Sequence, residues 1–371
     1  MYAHVIHRRR WQNALLAALF IALTVLLLQY PDAVHTGINR GLSICSTVII
    51  PTLFPFMLLA GWLADSPLCH SPGRWGQAVT RRLFALPGCC APAILLSLVG
   101  GYPAGIVAIS RLYRQEQISR QEMQRMTWFC ICGGPGFIVS TVGIGLMGSA
   151  QAGWLLYIAQ AITSVIIGIW LGRGQSIHSD ATAAIPLRRR WTQTVADTCS
   201  ALLSMCGFVT AAAMALSVWE GMGVSRGIAA LTGGSTSYIS AVVSGILEVS
   251  GGCIAVATMP LAPLWLSLCL GWGGISVHGQ LAAVLSDERV LCARFFGWRC
   301  IHGLLSGGLA MLLFYWFPPR LSTDASTLSP LPFSVSESAT YMLLILCFLT
   351  MLCFSEKKTG KTVQGMLYCE K

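Results

Sequence analysis

Within residues 95–148 the sequence sets two glycine-proline breaks inside apolar runs, Gly100-Gly101-Tyr102-Pro103 and Gly133-Gly134-Pro135-Gly136, joined by the charged link RLYRQEQISRQEMQR. Their surroundings are membrane sequence. Only 10% of the 371 residues are charged, 55% are hydrophobic and the mean hydropathy is +0.67, whereas soluble domains carry about 25% charged residues. In lipid every backbone N–H and C=O has to be satisfied within the protein, so a broken helix persists only where protein or a water-filled cavity covers it. The expected fold is an all-α polytopic membrane protein, with the breaks as its working part.

Apolar runs long enough to cross a bilayer fall at about residues 11–30, 41–64, 153–171, 195–219, 295–317 and 339–354. Four further stretches are interrupted, at about 86–110, 133–147, 238–260 and 264–286. Arg8, Arg9 and Arg10 precede the first run as in a signal peptide, but no small-x-small cleavage site follows, so an uncleaved helix is expected. Ser119 with Glu122 reads as a capping box opening a helix in the charged link. The fifteen cysteines are scattered without a CxxC pair and read as small buried hydrophobes rather than as a disulfide or zinc framework.

The two halves repeat one another. CSTVIIPTLFPFMLLAGWLAD parallels CSALLSMCGFVTAAAMALSVWE, and LLSLVGGYPAGIVAI parallels GILEVSGGCIAVATM. Gly133-Gly134 parallels Gly273-Gly274, and the closing spans correspond. Four matches in one order carry weight that no single one has. If the N-terminus is cytoplasmic, 20 of the 24 Lys and Arg fall inside and only Arg40, Arg226 and Arg320 outside, with Arg299 near the start of a span. That bias supports the orientation. It makes the repeats inverted, and inverted repeats with paired broken helices point to a transport site near the membrane midplane. The expected organisation is an N-terminal anchor (1–40), a first repeat (41–172), a basic cytoplasmic linker (173–194), a second repeat (195–317), and a polar loop, last span and cytoplasmic tail (318–371).

A half-helix that begins inside the membrane presents free N–H groups and a positive dipole end, which suit an anion. Pro103 and Pro135 fit a first helical turn, and the glycines before them permit close backbone approach. The candidate substrate-binding positions are Gly100, Gly101, Tyr102, Pro103, Cys132, Gly133, Gly134 and Pro135 in the first half. Those in the second are Glu248, Ser250, Gly251, Gly252, Gly273, Gly274, Ser276, His278 and Gln280. Glu248 reads either as a coupling or substrate-clamping carboxylate or as a cap on the N–H groups of 250–252. His278 reads as a titrating group or as an interhelical hydrogen bond, and His302 and Gln160 as polar ties between helices.

No enzyme is expected. Ser276 and His278 are two apart and share no helix face, no GxSxG surrounds Ser276, no HExxH occurs, and Gly360-Lys361-Thr362 lacks the rest of a P-loop. No catalytic residue, metal or cofactor is assigned. The basic excess is explained by topology, so no nucleic acid partner is expected. The expected partners are the lipid bilayer and a small organic anion, with a homo-oligomer left open.

The run GGYPAGIVAISRLYRQEQISRQEMQRMTWFCICGGPGFIVSTVGIG, with GILEVSGG and WGGISVHGQ downstream, resembles the YlbJ-type sporulation integral membrane proteins, which belong with the nucleoside-recognition or Gate-domain membrane proteins. The resemblance covers about residues 41–317. It implies a role in endospore formation, where a family member moves dipicolinic acid, a planar aromatic dianion, across the outer forespore membrane. The alternatives are a carrier of a nucleoside or another organic solute, and a non-transporting spore-envelope assembly protein. The chain departs from the family's C-N-N-S-G-P at Cys130-Ile131-Cys132-Gly133-Gly134-Pro135, where both asparagines are replaced.

Overall fold

A computed structural model describes residues 2–65, 73–177, 191–285 and 290–320. The expected last span at 339–354, the tail, and Arg188, Arg189 and Arg190 of the basic linker lie outside the described residues. All regular structure among the described residues is helical. Pro31–Leu63, Ala150–Gly172, Trp191–Gly221 and Ala262–Leu285 are long and apolar enough to cross a membrane, and Ala14–Gln29 is a shorter apolar helix.

Large apolar side chains lie on the surface as well as in the core, and several polar groups are buried. Leu28, Leu203, Leu231 and Tyr315 are exposed, whereas Gln160, Arg299, His302 and Ser306 are completely buried. In lipid the apolar side chains face outward at no penalty and ionisable groups turn to the protein interior.

Each half follows the same order. The first has a helical run from Pro31 to Asp65, the helix Cys90–Arg114 broken at Gly101, the helix Arg120–Phe129, a break leading into the π-helical Gly136–Leu146, and the unbroken Ala150–Gly172. The second has Trp191–Gly221, the short Val224–Thr232, the pair Thr236–Leu247 and Val249–Val256, the pair Ala262–Trp272 and Gly274–Leu285, and the unbroken Ala293–Trp316. Pro31–Ile44 packs along Trp191–Gly221, and Ala150–Gly172 along Ala293–Trp316, so corresponding helices of the two halves lie against each other.

The structure extends the second helix ten residues beyond the sequence expectation. It starts at Pro31, directly after Tyr30. Proline at the first helical position loses no hydrogen bond, and Asp32 in the first turn suits the dipole. Gly37 and Gly41 then bring this helix onto Trp191–Gly221, since a Cβ on Gly41 would lie 2.6 Å from the Thr210 Cα. Farther on, the π-turn Cys45–Ile49 precedes Pro51 and Pro55. Prolines inside a helix remove N–H groups and crowd the preceding turn, and a π-turn is one way to absorb this.

The expected capping box is present. Ser119 N–H donates to the Glu122 carboxylate at 2.7 Å, and Glu122 N–H donates to the Ser119 hydroxyl at 3.2 Å. All eleven described cysteines are free, and seven are buried, as small apolar residues are.

Candidate functional site

Four interruptions of helical backbone meet in the middle of the molecule. Gly101 has φ 76° and ψ −164°, a region that essentially only glycine occupies. It lies on the second break: a Cβ added to Gly101 would sit 2.6 Å from the Gly134 nitrogen, and one on Gly134 would sit 2.9 Å from the Gly101 nitrogen. Residues 131–134 are non-helical, and Pro135 leads into Gly136–Leu146.

The second half repeats this stacking. Glu248 is extended, at φ −154° and ψ 138°, between Thr236–Leu247 and Val249–Val256. Gly273 and Gly274 have φ of 85° and 83°, and a Cβ on Gly274 would lie 2.8 Å from the Glu248 Cα. Glu248 also turns its carboxylate onto the helix it precedes, accepting from Ser250 N–H at 2.8 Å and Gly251 N–H at 2.6 Å. These are two of the donors that a helix start leaves free. A carboxylate there meets the positive dipole end and two charge-assisted hydrogen bonds while 5% exposed.

Three of the breaks and the segment after the fourth border a central cavity, which is lined by Gly101, Tyr102, Gly134, Glu248, Ser250, Ser276 and Gln280 together with Ile49, Leu53, Phe137, Met205, Val209, Val249 and Val277. Its volume is about 20 Å³, room for about one water. A second cavity of about 20 Å³ runs between Arg40, Ile44, Leu216, Ser244 and Gly251, and shares Val209 and Glu248 with the first. Glu248 therefore faces two spaces.

The remaining candidate positions sit behind these walls. Gly100 packs helices, where a Cβ would meet the Ala60 and Ala104 methyls. Cys132 points its thiol at the Ser97 carbonyl, 3.8 Å away. Gly133 lies against Ile138, and Gly252 against Gly245. Gly273 faces Val277 and the Tyr102 ring. Pro135 is half-buried. Pro103 continues the helix after Gly101. His278 is held by Trp272 O at 2.9 Å and edge-on rings of Trp272, Phe295 and Phe296. Gln160 and His302 form interhelical ties: Gln160 Nε2 donates to Ser267 O and Ser306 Oγ at 2.9 Å, and His302 Nε2 lies 3.2 Å from Gln160 O.

No family model matches this chain. No solved structure matches it. Among curated proteins, the sporulation integral membrane protein YlbJ of Bacillus subtilis (strain 168) is 25% identical over 339 residues, covering 82% of this chain and 83% of YlbJ. The chain is thus similar to YlbJ along most of its length.

The two positions where the family resemblance implies asparagines do not line the central cavity. Ile131 and Cys132 are 1% and 0% exposed and point into the packed interior. The Ile131 carbonyl accepts a hydrogen bond from Arg299 Nη1. Arg299 is the functional candidate that sequence reasoning passed over. The sequence places it near the start of a span, and it is completely buried in Ala293–Trp316, six residues from the helix start. The available signal was a cation inside an apolar run, which in a membrane protein points to a role by default.

Proposed function

We propose that this chain is a membrane transporter or facilitator of a small organic anion, dipicolinate-like, acting in endospore formation, with the substrate held where the four breaks meet. The single observation that carries the reading is the convergence of Gly101, Gly134, Glu248 and the segment after Gly274 on one central cavity. Discontinuous helices meeting at one point are how secondary transporters build a substrate site. The sporulation role is carried over from the likeness to YlbJ, whose name places it in sporulation; the anion preference rests on the half-helix starts at the breaks, and dipicolinate on the family resemblance of the sequence.

At about 20 Å³ the cavity is closed to anything larger than water, so a planar diacid enters only if the walls part. The broken helices are suited to this, because the backbone leaves helical geometry at Gly101, Glu248 and Gly273. Glu248, facing both cavities, is the residue through which substrate or proton occupancy of one space is felt in the other. A carboxylate that gains a proton gives up its charge-assisted hold on the N–H groups of Ser250 and Gly251.

A second reading has its own support. No Lys or Arg is among the described residues lining the central cavity, whereas Glu248, Ser276 and Gln280 are, which also suits a neutral nucleoside or similar solute. The test is the dipicolinate content of spores lacking this protein, with complementation by the wild-type gene and by break-region variants, paired with uptake competition by uridine. Restored dipicolinate loading that uridine does not compete supports the anion. Loading that is normal without the protein contradicts it.

A further inference from the structure

Arg299 lies outside the cavity lining and makes one of its available contacts. Nη1 donates to the Ile131 carbonyl at the second break, while Nε and Nη2 have no hydrogen-bond partner in the protein among the described residues. The side chain is completely buried. Its charged-form neighbours are the hydroxyl of Tyr102 and the thiols of Cys132 and Cys300, with the imidazoles of His278 and His302 also within electrostatic reach. No carboxylate stands among them.

The arrangement is selective about which donors are spent. Guanidinium binds a carboxylate most tightly through two parallel N–H groups, and the side edge formed by Nε and Nη2 is one such pair. Anchoring Nη1 on Ile131 fixes the plane of the group and leaves that edge free. A buried cation without a counter-ion is strongly disfavoured, and a carboxylate ligand would supply the missing charge. Tyr102 links this edge to the cavity. It lines the central space, neighbours Arg299, and its hydroxyl donates across the halves to the Leu270 carbonyl.

We propose that the Nε–Nη2 edge of Arg299 is the carboxylate-binding element of this protein, reached from the central cavity when Tyr102 leaves Leu270. The inference rests on the organic-anion reading above and deepens it: one carboxylate on Arg299, with the body of the ligand in the space that Ser276 and Gln280 border. It also accounts for an anion site whose visible walls carry no cation.

The test is calorimetric titration of the purified full chain in detergent with three probes of one shape: pyridine-2,6-dicarboxylate, pyridine-2-carboxylate and uncharged pyridine-2,6-dicarboxamide. The wild type is expected to bind both acids and to bind the diamide about tenfold or more weakly, the order of one charged hydrogen-bonded pair. Arg299→Lys keeps the charge and a donor for Ile131 but lacks the fork, and is expected to lose affinity for the acids about tenfold while eluting as a monodisperse peak. Equal affinity of Arg299→Lys and wild type for the acids overturns the proposal and leaves the anion reading standing. Equal wild-type affinity for diacid and diamide overturns it without recourse to a variant. Wild-type protein that binds uridine and none of the three pyridines overturns the anion reading itself.

Discussion

In the first half Gly101 meets Gly134 backbone to backbone and neither break carries a carboxylate or a cation, whereas in the second half Gly274 meets Glu248 and the break caps itself. The exposed backbone of the first half is served from elsewhere: Ser164 Oγ donates to the Phe129 carbonyl and Arg299 to that of Ile131. The break at Glu248 is thus capped by its own side chain, whereas the break at 131–134 draws on a group 168 residues away. One backbone problem, a helix interrupted inside lipid, has been solved once by a local side chain and once by distant ones. The local solution places an acid at the cavity, and the distant one places a base behind it.

The comparison breaks first where conformation and space are both restricted. Alanine at Gly101 or Gly274 meets a positive φ and a backbone atom within 2.6 or 2.8 Å, so each is expected to lose about 3 kcal/mol or more. Size-exclusion profiles of detergent-extracted protein should show aggregation for both, and a monodisperse Gly101→Ala would remove the claim that the breaks touch. Gly134→Ala adds overlap at 2.9 Å without a positive φ. It is expected to cost about 1–3 kcal/mol, read as a lowered melting temperature with the protein still folded. His278→Asn surrenders the bond to the Trp272 carbonyl and three aromatic edges, an effect of about 1 kcal/mol that thermal unfolding would register without loss of membrane insertion. The smallest effect is expected at Ser276→Ala, whose hydroxyl is buried and without a partner among the described residues. Stability should be unchanged or slightly raised, and any change confined to the KM for uptake.

The breaks were legible in the sequence because glycine and proline are conspicuous inside apolar runs and because lipid forbids idle irregular backbone. The capping box at Ser119 and Glu122 was legible because both residues act within one turn. The helical start at Pro31 was not, since Pro31, Asp32, Gly37 and Asn39 look like loop composition until Trp191–Gly221 supplies the surface that Gly37 and Gly41 pack against. The π-helical backbone of Gly136–Leu146 leaves no mark on an all-apolar pattern. Arg299 was counted for its charge when orienting the chain, and what defines its role, the Ile131 carbonyl 168 residues earlier, cannot be seen along the sequence. Glu248 stood out, and of the two roles that the sequence offered the structure gives it the cap, while leaving it beside two cavities.

Glu248→Gln separates those roles. The amide keeps one acceptor oxygen for the N–H groups of Ser250 and Gly251 but cannot be ionised, so the protein should fold while any charge-dependent step fails. In proteoliposomes the wild type is expected to take up radiolabelled dipicolinate saturably. Glu248→Gln, inserted to the same level, should lose about tenfold or more of that flux, the effect typical of a charged hydrogen bond. Wild-type flux in Glu248→Gln would contradict the account, leaving Glu248 as a helix cap and the meeting point of the four breaks as packing alone.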